Sequence, residues 1–165
     1  MNINELIKSA MQGYKEANAS EKTMSKKVLD TVKMVKTAFM EYATNKKNAK
    51  QFDEADDVSV RITKIPEDVQ NKLIEEMIGV RKNNVKMYTE AGRQELADSE
   101  QEEIDILEVL LPKAATEAEI KELIEKTYPN GLTQKDMGAA MKLVKESFAR
   151  VDGKMTSEIV RSYIK

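Results

Sequence analysis

The sequence predicts an all-α protein, arranged as an N-terminal four-helix hairpin or bundle followed by a small three-helix bundle. Three observations support this prediction. Apolar residues recur at helical spacing along most of the chain. Gly and Pro are scarce, at 6 and 3 of 165 residues, and Met is abundant at 10. Because long unbranched side chains lose little rotamer freedom in a helix, this composition favours helices over strands.

Four amphipathic patterns predict the helices of an N-terminal domain over residues 1–112. We expect the helices at about 2–18, about 21–48, about 66–91 and from the low nineties to 112. Pro66 suits a first helical turn, Gly92 suits a C-cap, and Pro112 ends the fourth helix. The stripe expected to face inward on the third helix consists of Val69, Leu73, Met77, Val80, Val85 and Tyr88.

The helical pattern fails between residues 48 and 66. Val58, Val60 and Ile62 alternate there with Ser59 and Arg61, as in a short strand. No second strand candidate lies nearby to pair with it. We therefore expect an extended connector, with a short strand as the alternative.

A second domain is expected over residues 113–165. Thr116 and Glu119 form a capping-box pattern that opens its first helix. The turn sequence that ends at Gly131 stops this helix, Thr133 to Asp136 caps the next, and Asp152 precedes the last. Three short helices in this span predict a small bundle.

The segment Ala91–Lys113 contains seven acidic residues between Glu95 and Glu108. At roughly 100° per residue, most of them fall on the side opposite an apolar arc that includes Leu96, Ile104 and Leu107. The acids are therefore interpreted as the solvated face of a helix. Helix-spaced carboxylates without His or a Gly-bearing calcium loop do not resemble a ligand set, so no metal site is expected.

Glu100 and Glu103 are exceptions, because they project into the apolar arc of this helix. If the chain folds back at Gly92 as an antiparallel hairpin, Arg81 lies about as far before the turn as these two lie after it. We expect a partly buried ion pair of Arg81 with Glu100, Glu103 or both, because a guanidinium can satisfy two carboxylate oxygens. The alternative is that both glutamates lie in water at the margin of the hairpin.

Composition excludes several kinds of chemistry. Cys and His are both absent, which removes thiol chemistry, the usual proton shuttle and the commonest metal ligand. There is no Gly-rich phosphate loop and no Ser-Lys pattern, so we expect no enzyme activity of its own, no cofactor and no small-molecule substrate. No apolar run approaches a membrane span, and the N-terminus does not resemble a secretory signal. A Cys-free chain suits a reducing compartment, so a cytoplasmic location is expected.

The charge is distributed unevenly. The net charge of -2 combines +5 over residues 1–52, -9 over residues 53–112 and +2 over residues 113–165. The basic residues of the last part that could contact phosphates are Lys135, Lys142, Lys145, Arg150, Lys154 and Arg161. The alternative is that these side chains only solvate the outer face of a bundle, and Glu146 lies among them.

A series of short motifs resembles the GatB/YqeY family. They are TEAGRQEL, then Glu100-x-x-Glu103-x-x-Ile-Leu, then Leu111-Pro112, DMGAAM and Arg150-Val-Asp-Gly-Lys154, in that order. The resemblance runs from about Arg81 to the C-terminus, and the helical N-terminal part before it also resembles the family. It implies an all-helical protein whose last unit is similar to the tail of the B subunit of the amidotransferase that corrects misacylated tRNA. It also implies that Arg93, Glu100 and Glu103 occupy family positions.

Two positions depart from the family pattern. Ala139 stands where the family often has a basic residue, and Phe148 to Gly153 replaces a segment that is more basic in the family. The resemblance implies a non-catalytic YqeY-like binding module that acts on tRNA or a tRNA-handling complex. The alternatives are a protein-interaction or scaffold protein without nucleic acid, for which the Met residues could form an adaptable groove, or an accessory piece of a carbon–nitrogen ligase that uses glutamine as amide donor.

Overall fold

The computed structural model describes residues 2–164, and its architecture is all-α as predicted. The helices are α1 Ile3–Glu16, α2 Lys22–Thr44, α3 Val58–Arg61, α4 Glu67–Glu90, α5 Gln94–Val109, α6 Glu117–Thr127, α7 Met137–Ser147 and α8 Gly153–Ser162. Two 3₁₀ turns, Ala49–Gln51 and Ile62–Lys64, lie between α2 and α4. Two compact units divide the chain, Met1–Leu111 and Pro112–Lys165.

The first unit is built from two antiparallel helix pairs. Helix α1 packs on α2, α4 packs on α5, and α2 also packs against α5. Val35 and Phe39 of α2, Ile74 of α4, and Ile104 and Leu107 of α5 form the centre of the core. Because every helix buries only one stripe, the outer faces remain polar, as the composition requires.

The turn between α4 and α5 is a Schellman motif centred on Gly92. The backbone N–H of Gly92 donates to the carbonyl of Thr89 at 3.1 Å, and that of Arg93 donates to the carbonyl of Tyr88 at 2.8 Å. Gly92 has φ 69°, in the left-handed region where a Cβ is disfavoured. The expected C-cap therefore produces the sharp reversal that brings α5 back along α4.

The expectation for residues 48–66 is wrong. This segment contains the short helix α3 and the two 3₁₀ turns rather than a strand or an extended connector. Oδ1 of Asp57 caps α3 by accepting from the backbone N–H of Val60 at 3.1 Å. Because this segment has no partner strand, its backbone groups form hydrogen bonds within local helical turns. These turns place Ile62 in the core, where it is 1% exposed.

The inward stripe expected for α4 is also partly wrong. Its buried residues are Gln70, Ile74, Ile78 and Arg81, whereas Val80 is 58% exposed. Nε2 of Gln70 donates to the carbonyl of Ile65 at 2.7 Å, whereas the buried Oε1 of Gln70 has no hydrogen-bond partner among the described residues. Leu96, expected in the apolar arc of α5, is likewise exposed.

The second unit is a three-helix bundle of α6, α7 and α8. Its core includes Ile120, Ile124, Ala140, Val144 and Val160. Between α6 and α7 the chain passes through Gly131, which has φ 85°. An isolated parallel bridge between Leu132 and Ile164 joins the start of this connection to the end of α8.

The predicted capping box opens α6. Both the backbone N–H and the hydroxyl of Thr116 donate to Oε2 of Glu119 at 2.7 Å, and the N–H of Glu119 donates to Oγ1 of Thr116 at 3.3 Å. The hydrogen bonds from the Thr116 backbone and from its hydroxyl are the two largest causes that lower the pKa of Glu119. Desolvation raises this pKa by less than either bond lowers it, and the nearby charge of Lys113 lowers it slightly further. The ionised carboxylate is therefore the form that the folded unit prefers.

We expect Gly92→Ala to destabilise the first unit by about 1–2 kcal/mol, because Ala strains the left-handed conformation. The matched control is Gly79→Ala in α4, where an added Cβ meets no atom within 4 Å. This control should be neutral or stabilising by up to about 1 kcal/mol, since Ala favours a helix interior. Urea denaturation followed by circular dichroism gives both values, and equal effects would contradict the role of the Gly92 turn.

The capping box also makes the second unit sensitive to acid. A carboxyl group whose pKa is lower in the folded than in the unfolded state contributes stability above its unfolded pKa, and this contribution is lost as pH falls through its folded pKa. The unit should therefore lose stability as Glu119 protonates. Replacing Thr116 with Ala removes the hydroxyl donor but keeps the backbone N–H donor, so it should raise the pKa of Glu119 part of the way towards its ordinary value, measured by NMR titration of the carboxyl carbon. An unchanged pKa would contradict the contribution of the Thr116 hydroxyl.

Candidate functional site

A buried ion pair joins α4 to α5. Arg81 is only 6% exposed, and its Nε and Nη2 each lie 2.8 Å from Oε2 of Glu103. Its Nη1 donates to the carbonyl of Met77 at 3.3 Å, and its Nη2 lies 3.6 Å from Sδ of Met34 on α2. Contacts with a carboxylate, a carbonyl and a sulfur atom therefore replace the hydration of the guanidinium. These contacts offset much of the free-energy cost of burying its charge.

The ion pair of Arg81 involves one glutamate, whereas the sequence left two glutamates as possible partners. Nε of Arg81 donates a hydrogen bond to Oε2 of Glu103, and Nη2 forms an ion-pair contact with the same oxygen, so the guanidinium does not bridge two carboxylate oxygens. Glu100 is half-buried, and within residues 2–164 it forms no ion pair with Arg81. Arg93 is the exposed N-cap residue of α5, and its role there is backbone hydrogen bonding. The structure therefore brings together Arg81 and Glu103 and leaves Glu100 and Arg93 outside the pair.

A second polar bridge connects α5 with α2, and sequence reasoning missed it. Nζ of Lys27 donates to Oγ of Ser99 at 3.0 Å and forms an ion pair with Glu102. Lys27 precedes these partners by more than 70 residues. Nothing in the sequence distinguishes it from the other lysines of α2, since periodicity along one helix does not identify a partner on another.

The candidate phosphate-binding residues lie in the second unit, mainly on its outer surface. Lys142 and Lys145 are exposed on α7, about 60° apart in helical projection and opposite the buried stripe of Ala140 and Val144. Lys135 is exposed in the turn that leads into α7. We call these three residues the α7 basic stripe.

Two further basic residues form a stripe on α8. Lys154 and Arg161 are exposed and seven residues apart, so they project within about 20° of each other. We call these two residues the α8 basic stripe. Arg150, between α7 and α8, is half-buried, and its carbonyl accepts from the backbone N–H of Ala115 at 2.9 Å.

Each basic stripe also contains one acid. Oε1 of Glu146 lies 3.6 Å from Nζ of Lys142 on α7. On α8, Glu158 is exposed between Lys154 and Arg161. The Lys142–Glu146 pair is exposed on both sides, so it is weak and easily exchanged for another anion. The stripes therefore expose lysine and arginine side chains within a surface of mixed charge.

No metal centre or membrane span accompanies these features in the part of the chain that the structure describes. Over residues 2–164, no three acidic side chains are grouped so that they could hold a metal ion. None of the helices in this range combines the length and the apolar character needed to cross a bilayer.

Replacing Arg81 with Met tests the contribution of the buried pair. We expect it to reduce the free energy of unfolding by about 2 kcal/mol, because the partly buried carboxylate of Glu103 loses a charge-assisted hydrogen bond and an ion-pair contact. The control is Lys82→Met. Lys82 lies 3.7 Å from Glu108, but its side chain is 61% exposed, so its loss should cost less than about 1 kcal/mol.

Urea denaturation followed by circular dichroism measures both variants. The double variant Arg81→Met/Glu103→Leu should recover part of the loss, because it leaves no unpaired carboxylate. Equal small effects for Arg81→Met and Lys82→Met would show that burial of the pair contributes nothing to stability.

The chain matches a known protein family. No curated protein matches the chain. The family described as Yqey-like protein matches residues 3–164. This match includes α1 and α2, which lie before the region where the motif resemblance begins at Arg81. Because it spans both compact units, the chain belongs to the Yqey-like protein family.

Proposed function

We propose that this chain is a non-catalytic YqeY-like binding module that acts on tRNA or on a tRNA-handling complex of the amidotransferase type. The observation that carries the proposal is the exposed α7 and α8 basic stripes of the second unit. It is supported by membership of the Yqey-like family and by the resemblance of this unit to the tail of the amidotransferase B subunit. The Cys-free composition suits a reducing compartment, so we place this role in the cytoplasm.

The proposed contacts are to the phosphate backbone and not to base edges. Lysine is a flexible point charge that meets phosphates without reading sequence. Four of the five stripe residues lie on α7 and α8, and Lys135 lies in the turn that leads into α7. All five are exposed, so their charges are available to phosphates. Binding would then recognise the shape and charge of tRNA, and any chemistry would belong to a partner that carries the catalytic groups.

The test is tRNA affinity as a function of salt. We expect binding at 50 mM salt that weakens roughly 50- to 150-fold by 200 mM if about four phosphates are contacted, because each contact releases a counterion. A variant with Gln at four stripe positions should bind weakly and show a much shallower salt slope. The four positions are Lys142, Lys145, Lys154 and Arg161.

The matched control removes the same charge from the first unit. It carries Gln at four exposed lysines of α2 and α4, namely Lys26, Lys33, Lys72 and Lys86. Its affinity and salt slope should stay close to those of the unmodified chain. Absence of tRNA binding at 50 mM salt would overturn the proposal, as would equal losses in the two Gln variants, because the basic stripes would then have no special role.

A further inference from the structure

The first unit contains an open apolar groove between α1 and α5, with α2 as its floor. It has a volume of about 390 Å³, and its walls include Leu6 and Ala10 of α1, Val28 of α2, and Ile106 and Leu110 of α5. Val109, at the end of α5, also lines the groove and is 83% exposed. An apolar residue so exposed at the edge of an apolar channel indicates a surface that is left without a partner.

The groove continues along α1 and α2 beyond this first cavity. A second cavity of about 500 Å³ reaches Ala17, Ser20 and Met24. Gly13 and Ser25 line both cavities, so the two are continuous. From Leu6 to Ala17 the channel follows α1 for roughly 16 Å, which is the length of about three helical turns.

The α1 edge of the groove is acidic. In helical projection, Glu5 and Glu16 lie about 70–90° from the centre of the groove-lining arc of α1, whereas Lys8 and Lys15 lie on the opposite side of the helix. Both glutamates are exposed. Glu21, which precedes α2, lines the second cavity and adds a further carboxylate at that end.

The α5 edge is acidic as well. Asp98 and Asp105 are exposed and flank the arc that carries Ile106 and Val109. Helix α5 contains seven acids and no base. Two lysines of α2 are engaged in other contacts, since Lys27 contacts Ser99 and Glu102, and Nζ of Lys22 lies 4.1 Å from the centre of the Tyr14 ring.

We propose that this groove binds an amphipathic α-helix of another protein, with apolar residues on one face and Lys or Arg on both flanks. The floor would hold its apolar residues at i, i+3, i+4 and i+7, which is the usual mode of helix recognition in a groove. The two acidic edges would pair with its basic flanks and fix its orientation. This surface belongs to the first unit, so it is separate from the tRNA role proposed for the second.

The alternative occupants fit the groove less well. In a symmetric dimer, two copies would meet through the same groove and bring their acidic edges together, which is unfavourable. A small apolar molecule would use the floor but leave the paired acidic edges unexplained. A cationic amphipathic helix satisfies the floor and both edges at once.

The experiment measures binding of a defined peptide to the full chain. The probe is a fluorescein-labelled helical peptide of about 18 residues, with Leu and Ala on one face and Lys on the flanks. Its counterpart carries Glu in place of every Lys. We expect saturable binding of the Lys peptide in fluorescence anisotropy, and an affinity at least about tenfold weaker for the Glu peptide.

A matched pair of glycine variants locates the site. An added Cβ meets no atom within 4 Å at Gly13, which lines the groove, or at Gly79, which is exposed on α4. Gly13→Leu should fill the groove without disturbing the fold and weaken Lys-peptide binding by about tenfold or more. Gly79→Leu should change it by less than about twofold.

An edge variant provides a second test that does not change the groove's volume. Asp98→Asn/Asp105→Asn removes two charges from the α5 edge. Asn can still accept the hydrogen bonds that Gln94 and Gln101 donate at these positions. We expect the Lys peptide to bind more weakly, and we expect its affinity to change less with salt concentration.

Several outcomes would overturn this inference. The Lys peptide could fail to bind, both peptides could bind equally, or Gly13→Leu could leave binding unchanged. A dimer in light scattering that Gly13→Leu dissociates would make the occupant a second copy of this chain. None of these results bears on tRNA binding, which is measured separately with the Gln variants of the second unit.

Discussion

The packing of α4 on α5 in the first unit depends on the buried guanidinium of Arg81 and its ion pair with Glu103. Arg81 replaces an apolar residue on the buried stripe of α4, and an unpaired guanidinium there would cost several kcal/mol. Glu103 on α5 removes that cost only in one alignment of the hairpin. A slip of one turn would place Leu107, an apolar core residue, opposite the charge. The pair therefore selects the register of α4 and α5, while apolar burial supplies most of the stability.

The outer surface of the first unit follows from this register. With Ile104 and Leu107 facing the core and Glu103 paired with Arg81, the other acids of α5 project to the outside or to its edges. One of these acids, Glu102, forms an ion pair with Lys27 of α2. This contact joins α5 to the helix that forms the floor of the groove. Since α1 and α5 both pack on α2, an acid-edged apolar channel is left between them. The proposal of a cationic partner helix rests on this distribution of charge around the channel.

The two units present opposite chemistry. The first unit carries most of the acids and an apolar groove, which suit a cationic partner helix. The second exposes basic stripes on α7 and α8, which suit phosphates. The two proposals therefore assign a cationic helix to the first unit and tRNA to the second.

Local signals allowed most of the helices to be predicted. Caps such as Thr116 with Glu119, and turns such as Gly92, act within five residues, so a short stretch of sequence determines them. The failures occurred where a local pattern was ambiguous. Alternation at Val58, Val60 and Ile62 resembles a strand, but it equally serves a helical turn followed by a 3₁₀ turn with one buried residue.

The sequence by itself determined the fold class, the helix ends and the uneven charge, because these depend on neighbours along the chain. Only the tertiary structure decided that Arg81 binds Glu103 and not Glu100, that Lys27 binds Glu102, and that a groove separates α1 from α5. These contacts join residues more than 20 positions apart. Periodicity shows which face of a helix is buried, whereas the packing of all the helices together determines which side chain on the next helix meets it.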